Sequence, residues 1–390
     1  MKQDQIARQN LKFLRYQFLF WGWLPENVVL IIYFGELLNS YALSGVVLLL
    51  RYFFISFFEI PTGIISDKYG RRLSLIFSAL CYSFVKISYI LAFFCYPFVF
   101  LIISSVFYGL AESLSSGTNN AVVYENVKKL KALDNFEDYY GKIKACHILG
   151  LALSSLLGGL VASIFSMYAV MWLSLFGTFL HLYFSWRLIE TGFTPSSRKN
   201  FQQFWESCLY IWKNGKLNAL FIAEVLNSAG SRGQADTMPI YLQTLIPFWA
   251  MGLWRFIGRS VNFCSSWFVQ FFINRFGFKK CYIWSVISAP ASILFGLILN
   301  NITTPIVFLA DFFLHGIKYT SITKIKQNEF TDTQRATMES IYSMSSNIFA
   351  GITVLLISLV AQYTSAYWAI FASLILKLIA IPYYFMILRK

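Results

Sequence analysis

Glu26, Glu112, Asp236 and Asp311 each lie inside a long apolar run of this chain. A carboxyl group in a low-dielectric cleft can take up and release a proton near neutral pH, so these four are candidates for proton coupling. Arg51, Arg232, Arg255, Arg259 and Lys318 lie in runs of the same kind. A guanidinium fork suits carboxylate or phosphate groups, which makes these five candidates for binding an anionic or zwitterionic solute. Glu59, Lys86, Glu224, His315 and Lys377 are further ionisable groups at such positions. A charge at the centre of a bilayer costs at least ~2.5–3.5 kcal/mol on insertion scales, so each marks a functional site or a pair. Arg232 and Asp236 stand four residues apart and can pair along one helix face, and Arg255 and Arg259 share a face in the same way. Asp311, His315 and Lys318 form one polar stripe. Two readings stay open for the carboxylates. They are proton carriers, or they are permanent ion pairs: Asp236 with Arg232, Asp311 with Lys318, Glu112 with an arginine. Glu26 has no cation close to it in sequence.

Other chemistries find no support. The six cysteines form no CxxC pair, and nearly all lie in apolar runs as small buried hydrophobes. The three histidines make no zinc-binding spacing. There is no phosphate-cradling P-loop and no nucleophile–base constellation, so neither ATP drive nor a membrane-bound transferase is expected, and no cofactor or metal is implied.

These residues must be positioned by membrane helices. The chain is 57% hydrophobic and 13% charged, with a mean hydropathy of +0.58; a soluble domain carries roughly twice that charged fraction. Continuous apolar stretches predict twelve spans, at roughly 16–38, 44–66, 73–94, 97–123, 144–166, 167–188, 216–243, 246–272, 281–299, 303–325, 336–361 and 365–388. The first is too long for a cleavable signal and contains Glu26. Of the 32 Lys and Arg, 25 fall in alternate loops and termini, the opposite loops hold none, and seven lie inside spans. That asymmetry places both termini in the cytoplasm. The net charge of +14 is therefore a topology signal, and no basic stripe for nucleic acid is present. Residues 189–215 link the halves. Within them Phe201, Phe204, Trp205, Cys208, Leu209 and Trp212 recur at helical spacing, predicting a short helix in the cytoplasmic interface. The domains expected are a bundle at 1–188, the linker 189–215 and a bundle at 216–390. Gly230 and Gly233 predict a loosened helix beside Arg232.

A basic turn occurs once in each half. Gly63-Ile64-Ile65-Ser66-Asp67-Lys68-Tyr69-Gly70-Arg71-Arg72 ends one apolar run, and Ile273-Asn274-Arg275-Phe276-Gly277-Phe278-Lys279-Lys280 ends another. Gly70 and Gly277 are 207 residues apart, and the same offset carries Arg51 to within one residue of Arg259 and Glu112 to within one of Lys318. Such a repeat points to a transporter built from two related halves. Gly70 allows a tight turn with positive φ, and Asp67 can meet a helix N-terminus or a basic neighbour.

Twelve spans in two halves, with Gly63, Asp67, Lys68, Gly70, Arg71 and Arg72 at every fixed position of the pattern G-x-x-x-D-[RK]-x-G-R-[RK], resemble the major facilitator superfamily. The resemblance implies an all-α fold of two pseudo-symmetric six-helix bundles and a cytoplasmic gating role for those six residues. Glu59-Ile60-Pro61-Thr62 is similar to its exporter-like members. The drug–proton antiporter branch is matched in part. Gly150, Gly158 and Gly159 keep that branch's outer glycines in span five, but Ser154-Ser155 replace its Gly-Pro, and Ser105 stands where it has an arginine. The function expected is proton-coupled export of a small amphipathic compound, such as an antibiotic, a peptide-like toxin or a metabolite, by a protein working as a monomer in a bacterial inner membrane. An importer of an organic anion and a lipid flippase are the alternatives on the same scaffold.

Overall fold

The computed structural model describes residues 2–190, 201–329 and 335–388. The regular elements among them are all helical. The first span is α1 (Lys2–Trp21), a 3₁₀ turn at Pro25–Val28 and α2 (Leu30–Leu38), with a bend of 49°. Then come α3 (Tyr41–Tyr69), α4 (Arg71–Phe94), α5 (Pro97–Lys129), α6 (Phe136–Ile164) and α7 (Met167–Trp186). The linker helix is α8 (Phe201–Lys213), and α9 (Gly215–Leu242) follows it. The eighth span is α10 (Phe248–Trp267) continued by α11 (Val269–Phe276). The last four are α12 (Phe278–Leu299), α13 (Thr304–Glu329), α14 (Arg335–Tyr363) and α15 (Ala366–Leu388). Eight of these helices, and the bent α1–α2 pair, are long and apolar enough to cross a membrane. The other three spans, α9, α10–α11 and α13, are less apolar because they hold Arg232, Asp236, Arg255, Arg259, Asp311 and Lys318. The architecture is an all-α membrane fold.

The expected spans correspond to these helices, although α6 starts eight residues before 144, the eighth span is interrupted at Phe268, and the first differs in two ways. Helix α1 begins at Lys2, well before the apolar run, because its charged residues leave Ala7, Leu11, Leu14 and Phe18 on one buried face. The span also breaks between Trp21 and Leu30, where Pro25 has no amide hydrogen to donate.

The chain divides into two compact units. The first comprises Met1–Asn39, Leu50–Ser197 and Phe248–Phe256; the second comprises Ser40–Leu49, Arg198–Pro247 and Ile257–Lys390. The start of α3 thus belongs to the second unit, and the start of α10 to the first.

In the first unit, the broken span is held by small residues of α6. A Cβ on Gly150 would meet the Leu19 carbonyl oxygen at 2.0 Å, and one on Gly158 the Pro25 oxygen at 2.3 Å. Between them Ser154 Oγ accepts from the Leu24 amide at 3.2 Å. Backbone groups freed by the break thus find α6 close enough to satisfy and cover them, as hydrocarbon surroundings require. Gly159 faces the other way, toward the Phe248 carbonyl oxygen and Gly252.

In the second unit, α9 packs on α14 and α15, and α12 on α13. Helix α9 runs unbroken from Gly215 to Leu242, so the loosening expected at Gly230 and Gly233 does not occur. Both glycines are packing positions instead: a Cβ on Gly233 would press on Thr353 at 2.7 Å, and one on Gly230 would touch Lys377 at 3.3 Å. Helix α8 forms where the spacing predicts it. It buries Ile211 against Leu217, Met338 and Tyr342, while Trp205 and Trp212 stay exposed.

Candidate functional site

The break in the first span delivers Glu26 to the interior of the first unit. Lys86 of α4 donates to its Oε1, and Ser174 of α7 donates to Oε2 at 2.7 Å. Glu26 is 2% exposed and Lys86 0%. Helix α4 presents Tyr82, Lys86 and Tyr89 at i, i+4 and i+7, hence on one face. Tyr82 donates to the Glu112 carboxylate of α5 and accepts from Trp21 Nε1 at 3.4 Å. The Tyr82 ring meets Tyr108 edge to face at 5.7 Å, and the Arg51 guanidinium lies 3.3 Å over the Tyr108 ring. Several helices therefore contribute to one polar network inside this unit. Of the expected residues it gathers Glu26, Arg51 and Glu112, with Lys86 from the wider set of intramembrane charges; Tyr82 and Tyr108 were not among them.

The second unit has its own network, built on one face of α9. Asn227, Gly230 and Gln234 share that face. Lys318 of α13 donates to Asn227 Oδ1, and Lys377 of α15 donates to Gln234 Oε1 at 2.5 Å. Gly230, lacking a side chain, leaves room for the Lys377 stem. Asp311 of α13 sits 3.7 Å from Lys377 Nζ, and the carboxylate side is 30% exposed against 2% for the lysine. Asp311 thus pairs with Lys377, across helices. Arg232 donates to Asn347 Oδ1 of α14. Arg259, half-buried on α10, has no hydrogen-bond or ion-pair partner among the described residues. Arg255 falls in the first unit and Arg259 in the second.

Lys86 and Lys377 are the buried charges of these networks that sequence spacing left without a partner. Each is a lone lysine in an apolar span, and that isolation was the available signal. Their partners lie 60 and 66 residues away, beyond the reach of spacing arguments.

The basic turn has the geometry its glycine predicts. Gly70 has φ 95° and ψ 154°, and Gly277, its counterpart in the second half, has φ 83° and ψ 148°. Each precedes the first turn of a span. The Asp67 side chain lies outside the described residues. The acid seen at the N-terminus of α4 is Glu190, which accepts from the Arg72 amide at 2.9 Å. Arg72 also donates to the Trp186 carbonyl at 3.0 Å, and Arg71 pairs with Glu125 of α5 at 3.2 Å. Lys68 is exposed, and a Cβ on Gly63 would meet nothing. Among the described residues no three of His, Cys, Asp and Glu are grouped to hold a metal.

The family model of the Major Facilitator Superfamily matches residues 18–325. The chain belongs to that superfamily. Solved structures agree on the fold. A point mutant of the nucleoside transporter NupG is 16% identical with a TM-score of 0.76, over 98% of this chain and 99% of that one. A second NupG structure is also 16% identical, with a TM-score of 0.71 over 98% of each chain. A bacterial homologue of the human lysosomal transporter Spinster, inward-facing and unoccupied, is 12% identical with a TM-score of 0.73, over 98% and 97%. No curated protein matches the sequence. This superfamily member is therefore a multi-pass membrane transporter. Its span-five serines have their own use: Ser154 bonds to the backbone of the broken first span, and Ser155 donates to the Leu151 carbonyl at 2.7 Å.

Proposed function

We propose that the chain is a proton-coupled exporter of a small amphipathic compound, anionic or zwitterionic, working by alternating access in a bacterial cytoplasmic membrane with both termini inside. The observation that carries the coupling is the Asp311–Lys377 pair, in which the carboxylate reaches the surface and the lysine does not. A proton taken up by Asp311 removes the charge opposite a buried ammonium. Leaving one member of a buried pair uncompensated costs about 3–5 kcal/mol, and about 5.5 kcal/mol moves a two-state equilibrium from 1:99 to 99:1. Loading one proton is therefore large enough to favour a different arrangement of helices. Asp311 loads first in this scheme. Glu26, sealed between Lys86 and Ser174, and Glu112, held by Tyr82, exchange protons only in conformations that open them. Asp236 remains a candidate of the same kind.

Arg259 supports the charge of the cargo, since a half-buried guanidinium without a partner is an anion site in waiting. Arg51, stacked on Tyr108, offers a second cation beside an aromatic face. Arg232, Arg255 and Lys318 complete the basic set. Export rather than import follows the resemblance of the Glu59–Thr62 segment to exporter-like members. In cells, deletion of the gene raises retention of the cargo if the protein exports it and lowers uptake if it imports. In proteoliposomes, Arg259→Ala raises the KM for the cargo about tenfold to a hundredfold, the value of a lost charged hydrogen bond. An unchanged KM for both Arg259→Ala and Arg51→Ala removes the anionic cargo from the account.

A further inference from the structure

The first unit holds a cavity of about 660 Å³ between α1, α6 and the turn that joins α5 to α6, apart from the polar networks. Arg8, Lys12 and Arg15 line one end of it. They stand at i, i+4 and i+7 of α1, so they form one cationic stripe, and all three are exposed. None has an ion-pair partner among the described residues. The nearby Asp138 is engaged with Lys142 at 2.6 Å. Four residues after Arg15 the stripe reaches Leu19, which lines the same cavity with Leu149 of α6. The charged side chains of α1 thus end within about 16 Å of helix, while Leu11 and Leu130 also line the cavity beside them. Tyr16 and Tyr139 line it as well.

We infer that this cavity is a binding site for an anionic phospholipid, with the phosphate on Arg8, Lys12 and Arg15 and an acyl chain over Leu19 and Leu149. A free anion would use the cations alone and has no use for the apolar end. A zwitterionic lipid would fill the apolar end but gain less from three cations. The inference rests on the membrane placement of the chain and not on its transport chemistry, so it stands or falls separately from proton coupling.

Native mass spectrometry of the purified full-length protein tests it. Phosphatidylglycerol and phosphatidylcholine of identical chains are titrated in turn, with inorganic phosphate as competitor. The wild type is expected to hold one phosphatidylglycerol at least about tenfold tighter than phosphatidylcholine, given the attraction of clustered cations for anionic lipid. In Arg8→Gln/Lys12→Gln/Arg15→Gln that preference falls to about one. In Arg275→Gln/Lys279→Gln/Lys280→Gln, which removes the same charge elsewhere, it is kept. Leu149→Trp fills the apolar end and weakens both lipids while leaving the charges in place. A preference that survives the α1 triple variant overturns the inference, as does displacement of phosphatidylglycerol by equimolar inorganic phosphate. If the α1 triple variant does not fold, Leu149→Trp decides alone: unchanged binding of phosphatidylglycerol refutes the site.

Discussion

At the scale of single residues, the first unit turns on a salt bridge with no access to water. Lys86 and Glu26 each lose hydration on folding, and their mutual attraction offsets that loss only while both are present. Lys86→Met should therefore destabilise the protein by about 3–5 kcal/mol, read as a fall in the thermal unfolding midpoint in detergent. The double variant Glu26→Gln/Lys86→Met should recover most of that loss. A double variant no more stable than Lys86→Met would mean that the residues do not act as a pair. Half of this site was legible in the sequence. Glu26, Arg51, Glu112, Asp311 and Lys318 stand out because charge in an apolar run is expensive. Their partners did not, because a helix bundle brings together residues from distant spans, and Tyr82, Tyr108 and Asn227 look like ordinary span residues.

Elements position those residues through close approach more than through apolar burial, since lipid is as apolar as the helices. The break in the first span depends on α6 lying against exposed carbonyl groups. Gly150→Leu would drive a side chain into the Leu19 carbonyl, at a cost of about 1–3 kcal/mol or more for overpacking. Lowered thermal stability together with lost transport is the expected result, and wild-type stability would show that α1 and α6 are not so tightly apposed. At the basic turn, Gly70→Ala places a side chain at φ 95° and ψ 154°, a region almost confined to glycine, costing about 1–3 kcal/mol. Glu190→Gln removes the carboxylate from the N-terminus of α4, worth about 0.3–1 kcal/mol. The spans themselves were readable because apolar runs of bilayer length have few other uses. The break at Pro25 and the unbroken helix at Gly230 were not readable. Proline and glycine weaken a helix in isolation, and whether the helix parts depends on what packs beside it: α6 in one case, Lys377 and Thr353 in the other.

The whole molecule carries a two-fold repeat that shows most clearly in its backbone. Gly70 and Gly277 adopt nearly the same rare conformation although the sequences around them have diverged. Each unit also encloses a carboxylate–lysine pair, Glu26–Lys86 and Asp311–Lys377, on non-equivalent helices. The pairs differ in exposure, and the proposed coupling assigns the first proton to the more exposed carboxylate, Asp311. The most direct measurement is proton movement in proteoliposomes carrying a pH-sensitive dye, driven by a gradient of the cargo. The wild type should move protons with the cargo. Asp311→Asn should abolish cargo-driven proton flux while still allowing exchange of labelled cargo, and Glu26→Gln/Lys86→Met should keep a measurable flux. Undiminished proton flux in folded Asp311→Asn would contradict the account at its centre.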